Sequence, residues 1–496
     1  MYRRYFSGDR TIISSGNDND ADASRTLTLV VDQGTHASRA LVFDARGICV
    51  HDVHREVTLD HAGEHIEQDA GRLVDSVQEV IEAALAEYPD TIGCMALATQ
   101  RSTVVAWDTR DGRPLAPAIS WQDRRNADWL LRHAPPADRL ARVTGLRASP
   151  HYGASKLRWW LDHDPAIQQA ARNGVLRMGP LAAFLVARLI PGRPPTVDVT
   201  NAARTLLLDI DRGDWDEDLL AHFGIRREWL PTVQPVRADY GRLRSGDIPL
   251  TAVSGDQTAA LFVDGCPEPG ETRVNLGSGA FVLTVTGTQR RDVPDLLAGL
   301  ADRNPGGPLY YVEGTVNGAG TALDWLAARS GETLDPPRIE SALQEMANTG
   351  QETPLFINGV GGLGSPWWAA TEPRFEADAP TSLAAHVAAV VESIAFLVAE
   401  NIARMHESGL TLGRLVFTGG LSGLDRLCQY IVDLAGLPGE RIVHPEATAR
   451  GAAWLAAKDH QSWTLTPRTP YTPRPAVALR RRQQRFRAAL QASLSP

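Results

Sequence analysis

Two short segments that share the dipeptide Asp-Gln hold the residues best suited to chemistry in this chain. Asp32 opens the segment DQGT after the apolar run 27–31, and Asp256 lies in the segment SGDQ after the run 248–253. Each acid stands at the end of a predicted strand beside a glycine, which would let backbone N–H groups approach a ligand. Such an acid can order hydrated Mg²⁺ or accept a hydroxyl proton, so two of them facing one cleft would suit phosphoryl transfer. For either acid alone, capping of a turn is the simpler interpretation.

The elements that must position these acids recur in the two halves of the chain. Residues 27–43 have the pattern of strand, tight turn and strand, and residues 272–285 repeat it around a Gly-Ser-Gly turn. Apolar spacing predicts helices over 72–88 and 383–405, and a strand at 415–417 that runs into a Gly-Gly turn. We therefore predict an α/β protein with two related domains and a cleft between them.

Size and composition limit the classes of function. The 496 residues are too many for one core, and 50 basic against 59 acidic residues argue against a general nucleic-acid or anionic-membrane binder. The cysteines lack metal-ligand spacing, which indicates reduced thiols at Cys49, Cys94, Cys266 and Cys428. The chain shows no apolar run of bilayer-spanning length, and its first residues mix arginine with aspartate. We expect a disordered tail on a cytoplasmic protein.

Nine segments, in order along the chain, resemble the FGGY family of carbohydrate kinases, and within it most closely the glycerol kinases. They are VDQGTHASRALVFD, ATQRSTVVAW, ISWQDRRNA, VTNAARTLLLDI, SGDQTAALF, NLGSGAF, EGTVNGAGTALDWL, GGLGSP and ARGAAWLAA. The resemblance implies two actin-like (ribonuclease H-like) ATPase domains, with the sugar or polyol on the first and ATP mainly on the second. We expect a tail at 1–25, an N-terminal domain at 26–263 and a C-terminal domain at 264–496.

The resemblance also implies roles for residues on the acceptor side of the cleft. Asp256 matches the catalytic base, which takes the proton of the attacking hydroxyl. The positions that match or complete the acceptor pocket are Arg101, Ser102, Trp121, Gln122, His151, Tyr152, Gln257 and Phe281. Arg101 is expected to bind substrate hydroxyls, and Trp121 is expected to pack on the carbon chain.

A second set of residues is implied on the nucleotide side. Asp32 matches the acid that contacts the Mg²⁺–phosphate group through water, as suits a cation that dehydrates reluctantly. The other positions expected to contact ATP or its phosphates are Gly34, Thr35, His36, Gly277, Ser278, Gly320, Asp324, Gly419, Gly420 and Leu424. Glycine turns of this kind also occur as simple hairpins and as close helix–strand contacts.

The chain departs from glycerol kinases at four of these positions. Ser102 stands where they have a glutamate that binds glycerol, so a charged acceptor is replaced by a short neutral group. His151 stands for a substrate-contacting tyrosine, His36 for a threonine or serine, and Leu424 for an asparagine. The residues expected to act in phosphoryl transfer match those of glycerol kinases, whereas the residues expected to bind glycerol match only in part.

Two classes of function remain open on the sequence. The leading hypothesis is an ATP- and Mg²⁺-dependent kinase of a small polyol or ketose, with glycerol or a four- or five-carbon compound as acceptor and a homo-oligomer as a possible assembly. The alternative is an actin-like nucleotide-binding sensor without kinase activity. The basic run 480–487 is expected to be a solvated helix face, and a nucleic-acid role for it is the weaker alternative.

Overall fold

The computed structural model describes residues 27–304, 306–349, 352–376, 382–442, 446–457 and 462–494. The predicted tail at 1–25 lies outside these residues. Two large mixed sheets form the frame, one in each half of the chain.

The N-terminal sheet places three parallel strands at its centre. Its six strands are, in spatial order, Arg237–Arg242, Pro249–Gly255, Ile92–Thr99, Leu27–Gln33, Ala37–Phe43 and Cys49–Glu56. The second, third and fourth of these run parallel, and the outer strands pair antiparallel. The central strands are apolar and almost fully buried, as expected for parallel strands covered on both faces.

The C-terminal sheet repeats this arrangement. Its seven strands are, in spatial order, Leu297–Asn304, Gly307–Val316, Ala280–Gly287, Glu271–Leu276, Arg414–Thr418, Gly439–Ile442 and Arg468–Tyr471. In both sheets the first strand of a hairpin pairs antiparallel with its partner and parallel with a strand much later in the chain. The prediction of two α/β domains with related openings is thus confirmed.

Helices and short strands complete the two halves. The α-helices are Ala70–Glu87, Ala127–His133, Ala137–Thr144, Gly153–His163, Pro165–Arg172, Leu181–Leu189, Val199–Ala202, Glu217–Phe223, Asp256–Ala259, Gly320–Ser330, Pro336–Thr349, Leu383–Glu407, Asp425–Ala435, Ala447–Ala456 and Val477–Leu494. A five-stranded sheet contains Asp60–Ala62, His65–Gln68, Ala118–Ile119, Val104–Asp108 and Leu176–Pro180. Three two-stranded pairs join Thr196–Asp198 to Thr232–Gln234, Leu208–Asp209 to Asp214–Trp215, and Leu355–Ile357 to Arg374–Glu376.

The long helix Leu383–Glu407 belongs to the core of the C-terminal half. This helix corrects the expectation that the chain has no apolar run of bilayer-spanning length, because it is long and apolar enough to cross a bilayer. However, 83% of its most apolar window is buried inside the protein, as in the core helix of a soluble domain. Its apolar residues pack beneath the seven-stranded sheet, where Val387, Val391 and Ile394 are fully buried.

A late helix, Ala447–Ala456, crosses back to the N-terminal sheet. It packs on the three central strands of that sheet. Gly451 allows the close approach, because a Cβ atom there would lie 1.9 Å from the carbonyl oxygen of Ala259. Thr251 Oγ1 donates to the carbonyl of Ala456 at 3.0 Å. The last part of the chain therefore supports both halves, and the predicted division at 263–264 does not separate two independent sets of contacts.

The C-terminal helix Val477–Leu494 carries the predicted basic face. Four arginines of the run, Arg480, Arg481, Arg485 and Arg487, are exposed, as expected for a solvated face. Two arginines also contact acids of the long helix: Arg482 makes two hydrogen bonds to Glu392 at 2.7 and 2.8 Å, and Arg487 contacts Glu400 at 2.7 Å. These contacts between the two helices were not predicted.

Candidate active site

Three site residues meet at one edge of the N-terminal sheet. Strand Ile92–Thr99 lies between strands Leu27–Gln33 and Pro249–Gly255, and all three run in the same direction. Ala98 pairs with Asp32 on one side and with Ser254 on the other. The carboxyl ends of the strands therefore bring together Asp32, Arg101 and Asp256. This edge is the usual place for a ligand in an open parallel sheet.

Asp256 stands at the start of a short helix and faces Arg101. Its Oδ1 lies 3.7 Å from Nε of Arg101 and accepts the backbone N–H of Gln257 at 2.7 Å. The side chain is 34% exposed, which leaves it open to the cleft. Burial raises the pKa of Asp256, and the charge of Arg101 opposes that increase. A carboxylate with a raised pKa is a better proton acceptor than an ordinary aspartate at neutral pH.

The negative charges of Asp256 and Glu446 act on the Asp32 carboxylate. Burial and then the charge of Asp256 raise the pKa of Asp32 to about 7, with Arg39 opposing and Glu446 adding to the increase. Arg39 is already engaged, since its guanidinium bonds both oxygens of Glu446 at 2.5 and 2.8 Å. A divalent cation beside Asp32 would relieve this repulsion.

The donor set fits Mg²⁺ held mainly by phosphates and water. The described residues contain no cluster of three or more acidic, histidine or cysteine side chains able to hold a metal. Mg²⁺ in phosphoryl-transfer enzymes commonly uses one or two carboxylates, with water and the substrate phosphates as its other ligands. Asp32 is thus the residue that would hold the ion.

The N–H groups of the glycines in the two Asp-Gln segments are both bonded within the protein. The N–H of Gly255 donates to Thr200 Oγ1 at 2.8 Å, and the N–H of Gly34 donates to the carbonyl of Ala37 at 2.9 Å. Neither N–H is free for a ligand. A Cβ atom on Gly255 would lie 2.5 Å from Cδ of Arg101, so this glycine makes room for the arginine side chain.

The predicted acceptor residues of the N-terminal half form one aromatic and polar wall. The rings of Trp121 and His151 meet edge to face at 5.6 Å, and those of His151 and Tyr152 at 5.1 Å. The Trp121 Nε1–H donates to Oγ1 of Thr35 at 3.0 Å, which joins the acceptor wall to the first predicted phosphate turn. Gln122 is half-buried beside Trp121.

Ser102 occupies a strained and buried position in this wall. Its φ of 67° lies in the left-handed region, which is uncommon for residues other than glycine. The side chain is buried, and its Oγ donates weakly to the carbonyl of Arg204 at 3.4 Å. The conformation thus turns the chain sharply directly after Arg101.

The opposite wall comes from the C-terminal half. A small cavity between the two sheets is lined by Gln257, Ala260, Leu261, Arg273, Asn275, Phe281, Leu283 and Thr418. Gln257 accepts a short hydrogen bond from Arg101. Phe281, from strand Ala280–Gly287, therefore faces the residues that follow Asp256.

The predicted nucleotide residues gather at the corresponding edge of the C-terminal sheet. Gly320 begins a helix and donates its N–H to the carbonyl of Gly277 at 2.9 Å, while Ser278 accepts from the N–H of Thr321 at 3.1 Å. Gly419 has φ 86°, and a Cβ atom there would lie 2.6 Å from the carbonyl of Leu276.

The remaining predicted nucleotide positions differ in exposure. Gly420 and Asp324 are exposed, as is His36 on the N-terminal side. Leu424 is buried in the C-terminal core, so its side chain does not face the cleft. Burial raises the pKa of Asp324.

A buried cluster that the sequence did not reveal joins the two halves. Arg204 forms a short bidentate ion pair with Glu313, and both side chains are at most 5% exposed. The hydroxyl of Tyr311 accepts from Arg204 at 2.8 Å and from Arg101 at 3.4 Å. Arg204 lies in one of the motifs of the resemblance, but no pattern in the sequence pointed to its partners. The cluster links Arg101, and through it Asp256, to the C-terminal sheet.

A larger cavity of about 710 Å³ lies elsewhere in the N-terminal half. It is lined by residues of the segments 107–112, 177–195 and 243–245 and includes none of the site residues named above. Two of its arginines are held by acids, Arg110 by Asp108 and Arg193 by Asp239. The smaller cavity, in contrast, is lined in part by the predicted acceptor residues Gln257 and Phe281.

Two sheets of related topology, with the Asp256 carboxylate at the edge of one and glycine turns at the edge of the other, form the arrangement expected of a two-domain α/β phosphotransferase. Residues 27–263 and 273–459 match the N- and C-terminal domains of the FGGY family of carbohydrate kinases. The chain belongs to this family.

Known proteins of this family are similar over nearly the whole chain. Glycerol kinase 1 of Pseudomonas aeruginosa is 34% identical over 444 residues, which cover 86% of this chain and 89% of that protein. The glycerol kinase of Agrobacterium fabrum is 35% identical over 457 residues, 88% of this chain and 90% of that protein. The crystal structure of Plasmodium falciparum glycerol kinase with ADP matches with a TM-score of 0.88 at 23% identity, over 95% of this chain and 99% of that one. These similarities favour an ATP-dependent carbohydrate kinase over a nucleotide sensor.

Proposed function

We propose that this protein transfers the γ-phosphate of MgATP to a hydroxyl of a small polyol or ketose. The acceptor oxygen attacks the γ-phosphorus in line, and its proton passes to the Asp256 carboxylate. The bond between the γ-phosphorus and the β–γ bridging oxygen breaks, and ADP leaves. The observation that carries the proposal is the placement of Asp256 beside Arg101 and within the field of Asp32 at one sheet edge.

The two acids have separate roles in this proposal. Asp256 is nearer the acceptor wall, because it contacts Arg101, the residue that matches the hydroxyl-binding arginine. Asp32 would hold Mg²⁺ through water. Such an ion, when bound, would supply charge neutralisation of the transferred phosphoryl group. Arg39 and Glu446, which both act electrostatically on Asp32, are paired with each other.

The acceptor pocket resembles that of a glycerol kinase with one charge removed. Arg101 and Trp121 would hold hydroxyls and the carbon chain, and the buried Ser102 provides no carboxylate to grip two hydroxyls. We propose a cytoplasmic enzyme of small-molecule metabolism.

The test is ADP release in the presence of MgATP and a series of polyols, ketoses and their derived acids with three to seven carbons. Stimulation by at least one compound, and its loss in Asp256→Asn, would support the proposal. No stimulation by any of them would favour the nucleotide sensor and overturn the kinase proposal.

A further inference from the structure

The hydroxyl of Tyr311 lies where the C-terminal sheet meets the arginine that is expected to bind the acceptor. Tyr311 belongs to strand Gly307–Val316 and is 2% exposed. Its oxygen accepts from Nη2 of Arg204 at 2.8 Å and, over a longer distance of 3.4 Å, from Nη1 of Arg101. A side chain of the C-terminal half therefore contacts the guanidinium of Arg101 directly.

The guanidinium of Arg101 has one protein contact at each of its three nitrogens. Nε faces the carboxylate of Asp256 at 3.7 Å, Nη2 donates to Gln257, and Nη1 donates to Tyr311. Asp256 and Gln257 are neighbours on the short helix Asp256–Ala259. Among the residues that the structure describes, Tyr311 thus supplies the contact from outside that helix. Two contacts on one side leave a planar group able to turn about the line that joins them, whereas a third contact fixes its plane.

The ring of Tyr311 is itself held in place by the neighbouring strand. Tyr311 pairs in register with Gly299 of strand Leu297–Asn304. A Cβ atom on Gly299 would lie 2.2 Å from Cζ of Tyr311 and 2.5 Å from its hydroxyl oxygen, so the ring lies across the backbone of this glycine. A glycine inside a strand commonly marks such a close approach. The position of the hydroxyl is therefore set by the pairing of two strands in the C-terminal sheet.

Arg204 shares the hydroxyl but does not depend on it for charge compensation. Arg204 forms its bidentate ion pair with Glu313, which lies two residues after Tyr311 on the same strand. Removal of the Tyr311 hydroxyl would leave this ion pair in place. The fold should therefore tolerate the loss of the hydroxyl, and the effect of that loss on Arg101 can be measured separately.

We infer that Tyr311 is a positioning residue for the acceptor, because its hydroxyl holds Arg101 in the orientation in which Arg101 binds the acceptor hydroxyls. The inference rests on the proposed function, since it requires Arg101 to bind the acceptor. Tyr311 acts through Arg101 and makes no contact of its own with the acceptor or with the transferred phosphoryl group. The affinity for the acceptor thus depends on a strand of the C-terminal half, although Arg101 itself belongs to the N-terminal half.

The test is the substitution Tyr311→Phe in the full-length enzyme, with Tyr310→Phe as a matched control. The hydroxyl of Tyr310 also joins the two halves, because it donates to Asp211 at 3.0 Å, but it does not contact Arg101. The probe is the compound with the highest wild-type kcat/KM among the polyols, ketoses and derived acids of three to seven carbons. Tyr311→Phe should raise the KM for this acceptor by about tenfold, as expected for the loss of one polar contact to a binding group.

The other kinetic constants separate positioning from a general effect on the fold. In Tyr311→Phe the KM for ATP and kcat should stay within about threefold of the wild type, because Asp256 and the nucleotide edge are unchanged. Tyr310→Phe should leave the KM for the acceptor within about twofold. An acceptor KM in folded Tyr311→Phe no higher than in Tyr310→Phe would overturn the inference and leave the kinase proposal standing. Equal increases in the KM values for acceptor and ATP would also overturn it. If the wild type phosphorylates none of the compounds, the kinase proposal falls, and this inference falls with it.

Two further variants do not depend on the folding of Tyr311→Phe alone. Gly299→Ala displaces the ring but keeps its hydroxyl, and we expect a similar increase in the KM for the acceptor. In a double-mutant cycle, adding Tyr311→Phe to Arg101→Lys should change the acceptor kcat/KM by less than about twofold, because the guanidinium that Tyr311 holds is already absent. A reduction by Tyr311→Phe of the same size in both backgrounds would show that Tyr311 does not act through Arg101.

Discussion

The Asp256 carboxylate lies 3.7 Å from Nε of Arg101, although the two residues come from distant parts of the chain. They meet because strands Ile92–Thr99 and Pro249–Gly255 are parallel neighbours and end at the same sheet edge. Arg101 in turn bonds Gln257 and Tyr311, so the proposed base, the acceptor wall and the C-terminal sheet share one arginine.

Removal of the Asp256 carboxylate should abolish transfer with little effect on nucleotide binding. We expect Asp256→Asn to lower kcat by roughly 10²–10⁴-fold, the usual contribution of a positioned general base. Calorimetry should give an MgATP dissociation constant within a few fold of the wild type. The exposed Asp75→Asn serves as the matched control and should retain full activity. Sugar-dependent turnover that survives in Asp256→Asn would remove Asp256 from the role of base.

Ionisation of the Asp32 carboxyl group should lower the free energy of unfolding of the nucleotide-free protein. An unfolded aspartate has a pKa of about 3.9, whereas the pKa in the folded protein is about 7. Between these two pH values the Asp32 carboxyl is protonated in the folded state and ionised in the unfolded state. The free energy of unfolding therefore falls as pH rises from about 4 to 7.

Asp32→Asn should therefore raise Tm at pH 8 and have little effect on Tm near pH 4, while it impairs catalysis. Differential scanning calorimetry without nucleotide or Mg²⁺ measures the effect. An increase in Tm of the same size at both pH values would show that the ionisation of Asp32 is not the cause.

The space above Gly255 should be essential for acceptor binding. In Gly255→Ala the new Cβ would lie 2.5 Å from Cδ of Arg101 and must displace that side chain. We expect the KM for the acceptor to rise by about tenfold or more, because the displaced Arg101 would lose one polar contact with the acceptor. The KM for ATP should stay nearly unchanged. Gly423→Ala is the control, since no atom lies within 4 Å of its added Cβ. Equal effects on the two KM values would point to a general disturbance of the fold.

The buried ion pair between the halves should be important for stability. Glu313→Gln leaves Arg204 buried without its counterion, and we expect a loss of about 3–5 kcal/mol in the free energy of unfolding. Urea denaturation measures this loss, with the exposed Glu345→Gln as control. A loss below about 1 kcal/mol, the range of surface pairs, would mean that the pair is solvated in solution.

Much of the fold follows from local patterns. The apolar spacing predicted a helix over 383–405, and the structure has one at Leu383–Glu407. The strand, turn and strand pattern predicted both hairpins, because alternating burial and glycine turns leave a direct signal in the sequence. The exposure of most arginines in the basic run near the C-terminus was also predicted, whereas the contact of Arg482 with Glu392 was not, since the two residues lie 90 positions apart.

For the candidate site, too, some features follow from the sequence and others only from the tertiary structure. The sequence by itself determined that Asp32 and Asp256 end strands, and that Ser102 stands where a glutamate is expected. Only the tertiary structure decided that Gly255 makes room for Arg101, that Tyr311 joins Arg101 to Arg204, and that the buried Lys156 donates to the carbonyl of Ser102. Strand register and burial set these contacts between residues that are distant in the chain, and a local pattern of residue types does not encode which distant side chains will share a low-dielectric environment.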